Sequence, residues 1–260
     1  ELVTAGIGSL VHVTTMGDAL SSIIDGGESI EDGDIFMTND PFLGALHQND
    51  VVVASPLFRN DDIFMWIGNV LHHPDVGGCD AGSFCINART LEDDPPRFFM
   101  KIVHRGEMVV ENEQAFVNNS RLPDAVALDL RAQIGAINVT RDRLNDLLDE
   151  RGEGLVADVM SRSINLAERQ VRDFVHRLPD GEWTGEAYMD GVRVGDERIC
   201  RVALKLICEG DTLRYCESYE SGEVVTIDGG EWLQGAGQFN FLRAVTPEQW
   251  QQLAAAHKKK

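Results

Sequence analysis

The chain has 260 residues, which is enough for one large domain or two ordinary ones. Hydrophobic residues make up 43% and charged residues 25%, an ordinary globular composition that can bury a core. The formal net charge of −20 argues against nucleic acid and anionic membrane surfaces as partners. No apolar run approaches the roughly 20 residues that a membrane span needs.

The five cysteines include no C-x-x-C pair, which argues against both a disulfide framework and a zinc ribbon. They indicate a reducing compartment, and no signal peptide is visible. The sequence therefore predicts a cytoplasmic protein.

Residues 1–112 have the pattern of a β-rich region. Helical spacing of apolar residues over Met16 to Ile24 ends at Gly26-Gly27 and predicts a helix. Continuous apolar runs on either side of Asn60-Asp61-Asp62 predict a hairpin of buried strands. The strands predicted in this region are Ile35 to Met37, Val51 to Phe58, Ile63 to Leu71, and a second hairpin of Phe98 to Val103 and Met108 to Val110.

Residues 113–180 have a helical pattern, and residues 181–260 return to a strand-like one. The helices predicted are Pro123 to Ile137, Arg141 to Arg151 with Thr140 as N-cap, and Glu153 or Gly154 to Leu178. The later elements predicted are strands over Glu186 to Met189, Arg198 to Cys208, Thr212 to Tyr219 and Glu223 to Ile227, then a helix from Pro247 to Ala256. This order predicts an α+β fold with a mixed β-sheet metal-site region, a helical middle segment and a second β region.

Two clusters of metal-type side chains flank the first predicted hairpin. They are Asp40, His47 and Asp50 before its first strand, and His72, His73 and Asp75 after its second. A hairpin brings these two points to the same end of the sheet, so one shared site is predicted. Imidazole and carboxylate ligands without thiolate suit a divalent ion, with zinc or manganese ahead of iron.

Such an ion would polarise a carbonyl or activate water. His73 and Asp75 would then orient ligands or move protons, together with Asp40, because a metal-bound histidine usually donates its other N–H to a carboxylate. The same residues also fit a polar loop of purely structural role. The residue pattern leaves both interpretations open.

Four motifs carry a resemblance to a known family. Asn39 to Asp50 resembles the N-D-P-y-l-G-x-x-H-x-x-D signature of the hydantoinase B/5-oxoprolinase family, and His72 to Gly78 its H-H-x-D-x-G-G. Ala81-Gly82-Ser83 is similar to its P-G-S, and Asp129 to Gln133 to its D-L-R-A-Q helix. The resemblance extends from about Leu10 to Gly152. Family chains are usually longer, so it also implies a fragment or a short member.

The resemblance implies a metal held by His47, Asp50 and His72. It also implies a hetero-oligomer in which a hydantoinase A-type partner binds ATP and activates a small-molecule substrate. The chain itself has no Walker-type glycine motif, so ATP is expected through the partner only.

The function predicted is the metal-bearing B-type subunit of an ATP-dependent hydantoinase/oxoprolinase-type complex that hydrolyses a cyclic amide. One alternative is the metal-bearing subunit of an ATP-dependent ketone carboxylase of the acetone or acetophenone type. A second alternative is a non-catalytic structural or regulatory subunit.

Overall fold

A computed structural model describes residues 10–190, 199–216 and 243–245. The helices are α1 (Leu10–Asp25), α2 (Val110–Val117), α3 (Pro123–Arg151) and α4 (Glu153–Val175), with a 3-10 turn at Pro41–Leu43. The strands are β1 (Ile35–Thr38), β2 (Asp50–Arg59), β3 (Asp62–His72), β4 (Phe99–His104), β5 (Glu107–Met108), β6 (Gly181–Asp190), β7 (Ile199–Glu209), β8 (Thr212–Cys216) and β9 (Arg243–Val245). Antiparallel sheets together with helices confirm the predicted α+β class.

The chain divides into two compact units. The first comprises Glu1–Cys85 with Glu92–Ser161, and the second Ile86–Leu91 with Arg162–Lys260. The boundaries predicted near residues 112 and 180 follow changes of secondary structure, and that division stays a prediction. No helix within the described ranges has both the length and the apolar character needed to cross a membrane.

The first unit is built on a five-stranded antiparallel sheet in the order β3-β2-β1-β4-β5. Both hairpins predicted from the sequence, β2–β3 and β4–β5, are present. The β2–β3 turn places Asn60 and Asp61 at positive φ, the conformation of a two-residue turn that matches strand twist. That turn, with one bulge after Leu57, sets the register along the whole hairpin.

Strand β2 is apolar from Val51 to Ala54 because both faces of the sheet are covered there. Val51 and Val53 belong to the main core, together with residues of α3. Val52 lies between them on the opposite face and packs with Ala19 of α1. Alternate side chains of one strand thus enter two different cores, and no polar face is left on it. The main core also contains Ile35, Met37, Ile102, Phe116, Val126, Leu130, Ile134, Ile137 and Leu148.

The break predicted in the middle of α3 is wrong, since one helix of 29 residues runs from Pro123 to Arg151. Thr140 does not cap a new helix, because its hydroxyl donates to the Ala136 carbonyl one turn earlier. A threonine satisfied in this way stays within a helix. The helix ends where Gly152 adopts a φ of +82°.

Smaller differences concern element ends. Helix α1 begins at Leu10 rather than Met16, and α4 ends at Val175 rather than Leu178. Val110, predicted at the end of a strand, opens the short helix α2.

The second unit holds a sheet in the order β6-β7-β8, with β9 pairing with β7. These pairs agree with the predicted strands up to Cys216. The strand predicted over Glu223 to Ile227 and the helix from Pro247 lie outside the described residues, as does the end of the strand predicted to Tyr219.

Candidate metal centre

The centre forms where β2 begins and β3 ends. In the β2–β3 ladder the first residue of β2, Asp50, lies directly opposite the last residue of β3, His72. Directly opposed side chains lie on the same face of a sheet and are close neighbours. The hairpin thereby brings together one residue from each of the two clusters.

Three side chains converge there. His72 Nδ1 lies 2.9 Å from Asp50 Oδ1, and His47 Nε2 lies 3.2 Å from Asp50 Oδ2. The two imidazole rings are 5.0 Å apart between centroids. One ligand atom from each of His47, Asp50 and His72 lies within 4.8 Å of the other two. Within the described ranges, no other three His, Cys, Asp or Glu side chains come together in this way.

Asp50 is a buried carboxylate surrounded by imidazoles. Burial alone would raise its pKa, but hydrogen bonds with His47 and His72, and the charges of His47 and His12, lower that pKa to about 2. The Asp50 carboxylate is therefore ionised at neutral pH and offers anionic oxygen beside the ring nitrogens of His47 and His72. Mixed nitrogen and oxygen ligands of this kind suit first-row divalent ions.

The loop that carries His47 is shaped by Asp40. The Asp40 carboxylate accepts a hydrogen bond from the Phe42 N–H and caps the short 3-10 turn, and its carbonyl accepts from Ala45 N–H. Gly44 follows at a φ of +103°, and a Cβ there would lie 2.3 Å from the backbone nitrogen of Ala19 in α1. Only glycine fits this approach of loop to helix.

His73 points into the core. It is fully buried, its Nε2 lies 2.9 Å from Gln133 Oε1, and its ring meets Phe116 edge to face at 5.6 Å. Burial lowers its pKa, so the ring is neutral at physiological pH. Its backbone carbonyl accepts from the Asn49 side chain and its N–H donates to the Asn49 carbonyl, which ties the two ligand-bearing segments together.

Asp75 organises the glycine loop that follows it, residues 76–82. Its carboxylate accepts hydrogen bonds from the backbone N–H groups of Gly77, Gly82 and Arg121. It also forms an ion pair with the Arg121 guanidinium at 3.0 Å. Burial opposes ionisation, but these donors hold the pKa of Asp75 below its ordinary value. Asp75 thus fixes the loop that presents the next residue, Ser83.

Two contacts at the centre were missed from the sequence. Ser83 Oγ lies 2.6 Å from His72 Nε2, on the side of the ring away from Asp50. His12 Nε2 lies 3.1 Å from Asp50 Oδ2. Ser83 belongs to the Ala81-Gly82-Ser83 motif, to which the sequence assigns no chemical role, and His12 lies before the start predicted for α1.

The six predicted site residues therefore separate into two sets. The three predicted ligands, His47, Asp50 and His72, lie together. The side chains of Asp40, His73 and Asp75 make their contacts within the surrounding loops and the core, outside that trio. Their assignment as catalytic groups stays a prediction.

Comparison with known proteins adds a family to this geometry. The family model described as hydantoinase B/oxoprolinase matches residues 1–221. The chain is 24% identical over 212 residues to the acetophenone carboxylase delta subunit of Aromatoleum aromaticum, covering 79% of this chain and 31% of that protein. It is 25% identical over 195 residues to the caprolactamase subunit beta of Pseudomonas jessenii, covering 73% and 33%.

A solved structure shares the fold. The ATP-dependent caprolactamase from Pseudomonas jessenii superimposes with a TM-score of 0.71 at 23% identity, over 79% of this chain and 36% of that one. The chain thus spans about a third of the length of these relatives. Because the family model covers most of the sequence, the chain belongs to the hydantoinase B/oxoprolinase family.

Proposed function

We propose that this chain is the metal-bearing component of an ATP-dependent cyclic amide hydrolase, with His47, Asp50 and His72 as ligands. The observation that carries the proposal is the convergence of two imidazoles and one buried carboxylate within 4.8 Å. The likeness to a caprolactamase subunit supports the reaction class. The chain would act in the cytoplasm.

The residues present fit a divalent ion. Asp50 is buried, yet one of its oxygens contacts the His47 ring from the loop before β2 and the other contacts the His72 ring from the end of β3. A cation between the carboxylate and the two rings would satisfy this arrangement. When bound, zinc or manganese (or iron) supplies a Lewis acid that polarises a carbonyl or lowers the pKa of water. His72 would ligate through Nδ1, since that nitrogen faces Asp50 and Nε2 faces Ser83.

The other predicted residues would support the ligands. We propose that His73 and Asp75 position the ends of β3 and the glycine loop, because their polar contacts are with protein groups. For Asp40, which is half-buried in the loop that carries His47, we propose ligand orientation or proton transfer. This division assigns proton transfer to Asp40 and positioning to the other two.

A partner would complete the activity. The relatives named as subunits of caprolactamase and acetophenone carboxylase support a hetero-oligomer. We propose a hydantoinase A-type ATP-binding subunit that activates the substrate by phosphorylation. This chain would then receive the activated small molecule at its metal.

Ketone carboxylation is the second candidate, and one contact favours it. Phe84 is about half exposed and stacks on His47, with ring centroids 6.4 Å apart and an angle of 18° between planes. An exposed aromatic ring beside a ligand suits an apolar substrate. The acetophenone carboxylase relative supports the same direction.

Metal content tests the proposal. The purified chain, dialysed against zinc or manganese, should retain one ion by elemental analysis, and His47→Ala should retain none. His176→Ala, which removes an exposed histidine far along the sequence, is the matched control. A wild-type chain that retains no ion would contradict the proposal.

The reaction class needs the full complex. With an ATP-binding partner of the hydantoinase A type, ATP turnover should require a lactam or hydantoin alone. Turnover that requires a ketone and bicarbonate would instead establish the carboxylase. A chain that binds the partner while holding no metal would be a non-catalytic subunit.

A further inference from the structure

Helix α1 brings a third imidazole to the Asp50 carboxylate. His12 Nε2 lies 3.1 Å from Asp50 Oδ2, the oxygen that His47 Nε2 approaches at 3.2 Å. The other oxygen faces His72. One carboxylate therefore contacts imidazoles from three separate segments, namely α1, the loop before β2 and the end of β3.

The position of His12 follows from the helix. Met16, Ala19 and Ile23 follow it at intervals of four, seven and eleven residues, the spacing of a single helical face. That face packs on the sheet, because Ala19 and Ile23 are buried against residues of β2 and β1. The first turn of the same face carries His12 to the edge where β2 starts.

The helix is closely fitted to the elements that carry the ligands. A Cβ on Gly44 would overlap the backbone of Ala19, and one on Gly68 of β3 would lie 2.7 Å from the Met16 sulfur. The loop and β3 therefore approach α1 so closely at these two glycines that no side chain fits between them, which leaves little freedom for α1 to slide along the hairpin. A shift of α1 would therefore move His12 relative to Asp50.

We propose that His12 is a positioning residue of the metal centre, which acts through Asp50 and couples metal binding to the docking of helix α1. This inference rests on the proposed metal site. The Nε2–H of His12 donates to Asp50 Oδ2 and restrains the carboxylate in the orientation that binds the ion. Hydrogen bonds that orient a metal-binding carboxylate change metal affinity by roughly 10–100-fold.

Coupling has a consequence in the opposite direction. If His12 favours the ligand geometry that binds the ion, then the bound ion favours the docked position of α1 by the same free energy. A histidine that merely packs against the sheet would stabilise α1 equally with and without metal. Metal-dependent protection of α1 therefore separates the two roles.

The experiment measures zinc affinity by competition with a chromophoric chelator and amide hydrogen exchange of peptides covering α1. His12→Ala should bind zinc roughly 10–100-fold more weakly. His12→Gln, whose amide nitrogen can donate to the same oxygen, should regain part of that affinity. Zinc should slow exchange in α1 of the wild type and of the exposed-site control Ser21→Ala, but not of His12→Ala.

The outcomes separate this inference from the proposed function. Wild-type zinc affinity in His12→Ala, or equal zinc-dependent protection of α1 in that variant, overturns the role of His12 while the metal site stands. His12→Gln as weak as His12→Ala overturns the hydrogen-bond role. A wild-type chain that binds neither zinc nor manganese overturns both proposals.

Discussion

His72 faces Asp50 directly across the β2–β3 ladder, with Nδ1 2.9 Å from Oδ1. The distance between these two side chains is thus set by backbone pairing rather than by a mobile loop. Sites built on paired strands hold their geometry better than sites on loops. This rigidity makes the centre suitable for substitution experiments, since changes to side chains leave the register intact.

Replacement of Asp50 by asparagine should abolish zinc binding. The variant keeps the shape of the side chain but removes the anionic oxygens that contact His47 and His72. We expect zinc affinity to fall by more than the roughly 10–100-fold expected for a supporting residue. Chelator competition measures the loss, with Asp62→Asn, exposed at the far end of the hairpin, as control. Unchanged affinity would contradict the ligand assignment.

Ser83→Ala should weaken zinc binding without removing it. The Ser83 hydroxyl is 2.6 Å from His72 Nε2, where it can accept the N–H that remains when Nδ1 ligates. Such supporting hydrogen bonds change metal affinity by roughly 10–100-fold. Ser83→Thr keeps the hydroxyl and should bind nearly as the wild type does. If the alanine and threonine variants bind zinc equally, the hydroxyl has no such role.

The contacts of Ser83 also permit a second interpretation, in which its hydroxyl is a nucleophile. Asp50, His72 and Ser83 are connected in the order of an acid–base–hydroxyl relay. A serine nucleophile would be labelled by a fluorophosphonate probe. Under the metal proposal we expect no labelling at Ser83, as judged by peptide mass spectrometry.

Gln133→Leu should destabilise the first unit. The Gln133 side chain bonds His73 Nε2, the Val51 carbonyl and Asn69 Oδ1, each at 2.9 Å, and so ties α3 to β2 and β3. Leucine leaves buried polar groups without partners, and each such group costs about 1–3 kcal/mol. Urea denaturation measures the free energy of unfolding, with exposed Gln114→Leu as control. Equal stability of the two variants would disprove the network's contribution.

Asp34 should contribute stability that depends on pH. It is fully buried, and although burial opposes ionisation, hydrogen bonds from Lys101, the Arg105 and Glu31 backbones and His104 keep its pKa below the ordinary value. A lowered folded-state pKa means that the contribution is present above the unfolded value, about 3.9, and is lost as pH falls below it.

The difference in Tm between the wild type and Asp34→Asn should therefore be largest near neutral pH and shrink below about pH 4. Thermal melts at several pH values measure it. Asp32→Asn, exposed two residues earlier, is the matched control and should melt close to the wild type. A Tm difference for Asp34→Asn that is constant with pH would contradict the argument.

Most of the local structure could be predicted from residue patterns. The β2–β3 hairpin was found because both runs are apolar and a polar turn separates them. The sequence predicted two helices in place of α3 because threonine is a common N-cap residue. In the structure the Thr140 hydroxyl instead donates to a carbonyl within the helix. A threonine hydroxyl can cap a helix or donate to a carbonyl one turn earlier, and the sequence alone does not distinguish the two.

The candidate ligands show the same division. Residue type and the predicted hairpin indicated that the two clusters share one site, since a hairpin brings its two outer ends together. The resemblance to the hydantoinase B family then implied His47, Asp50 and His72 as the ligands, and the structure places these three side chains together. The interior contacts of His73 and Asp75 could not be predicted, because their partners Gln133 and Arg121 lie far along the chain. Long-range partners are fixed only when α3 packs on the sheet.

By itself the sequence determined the α+β class, the hairpin and the residue types at its open end, because these depend on local periodicity and turn chemistry. The tertiary structure alone decided that α1 adds His12 to the Asp50 carboxylate. It also decided that the glycine loop sets Ser83 beside His72. Both contacts join segments whose approach is governed by packing on the sheet, and no local pattern encodes that approach.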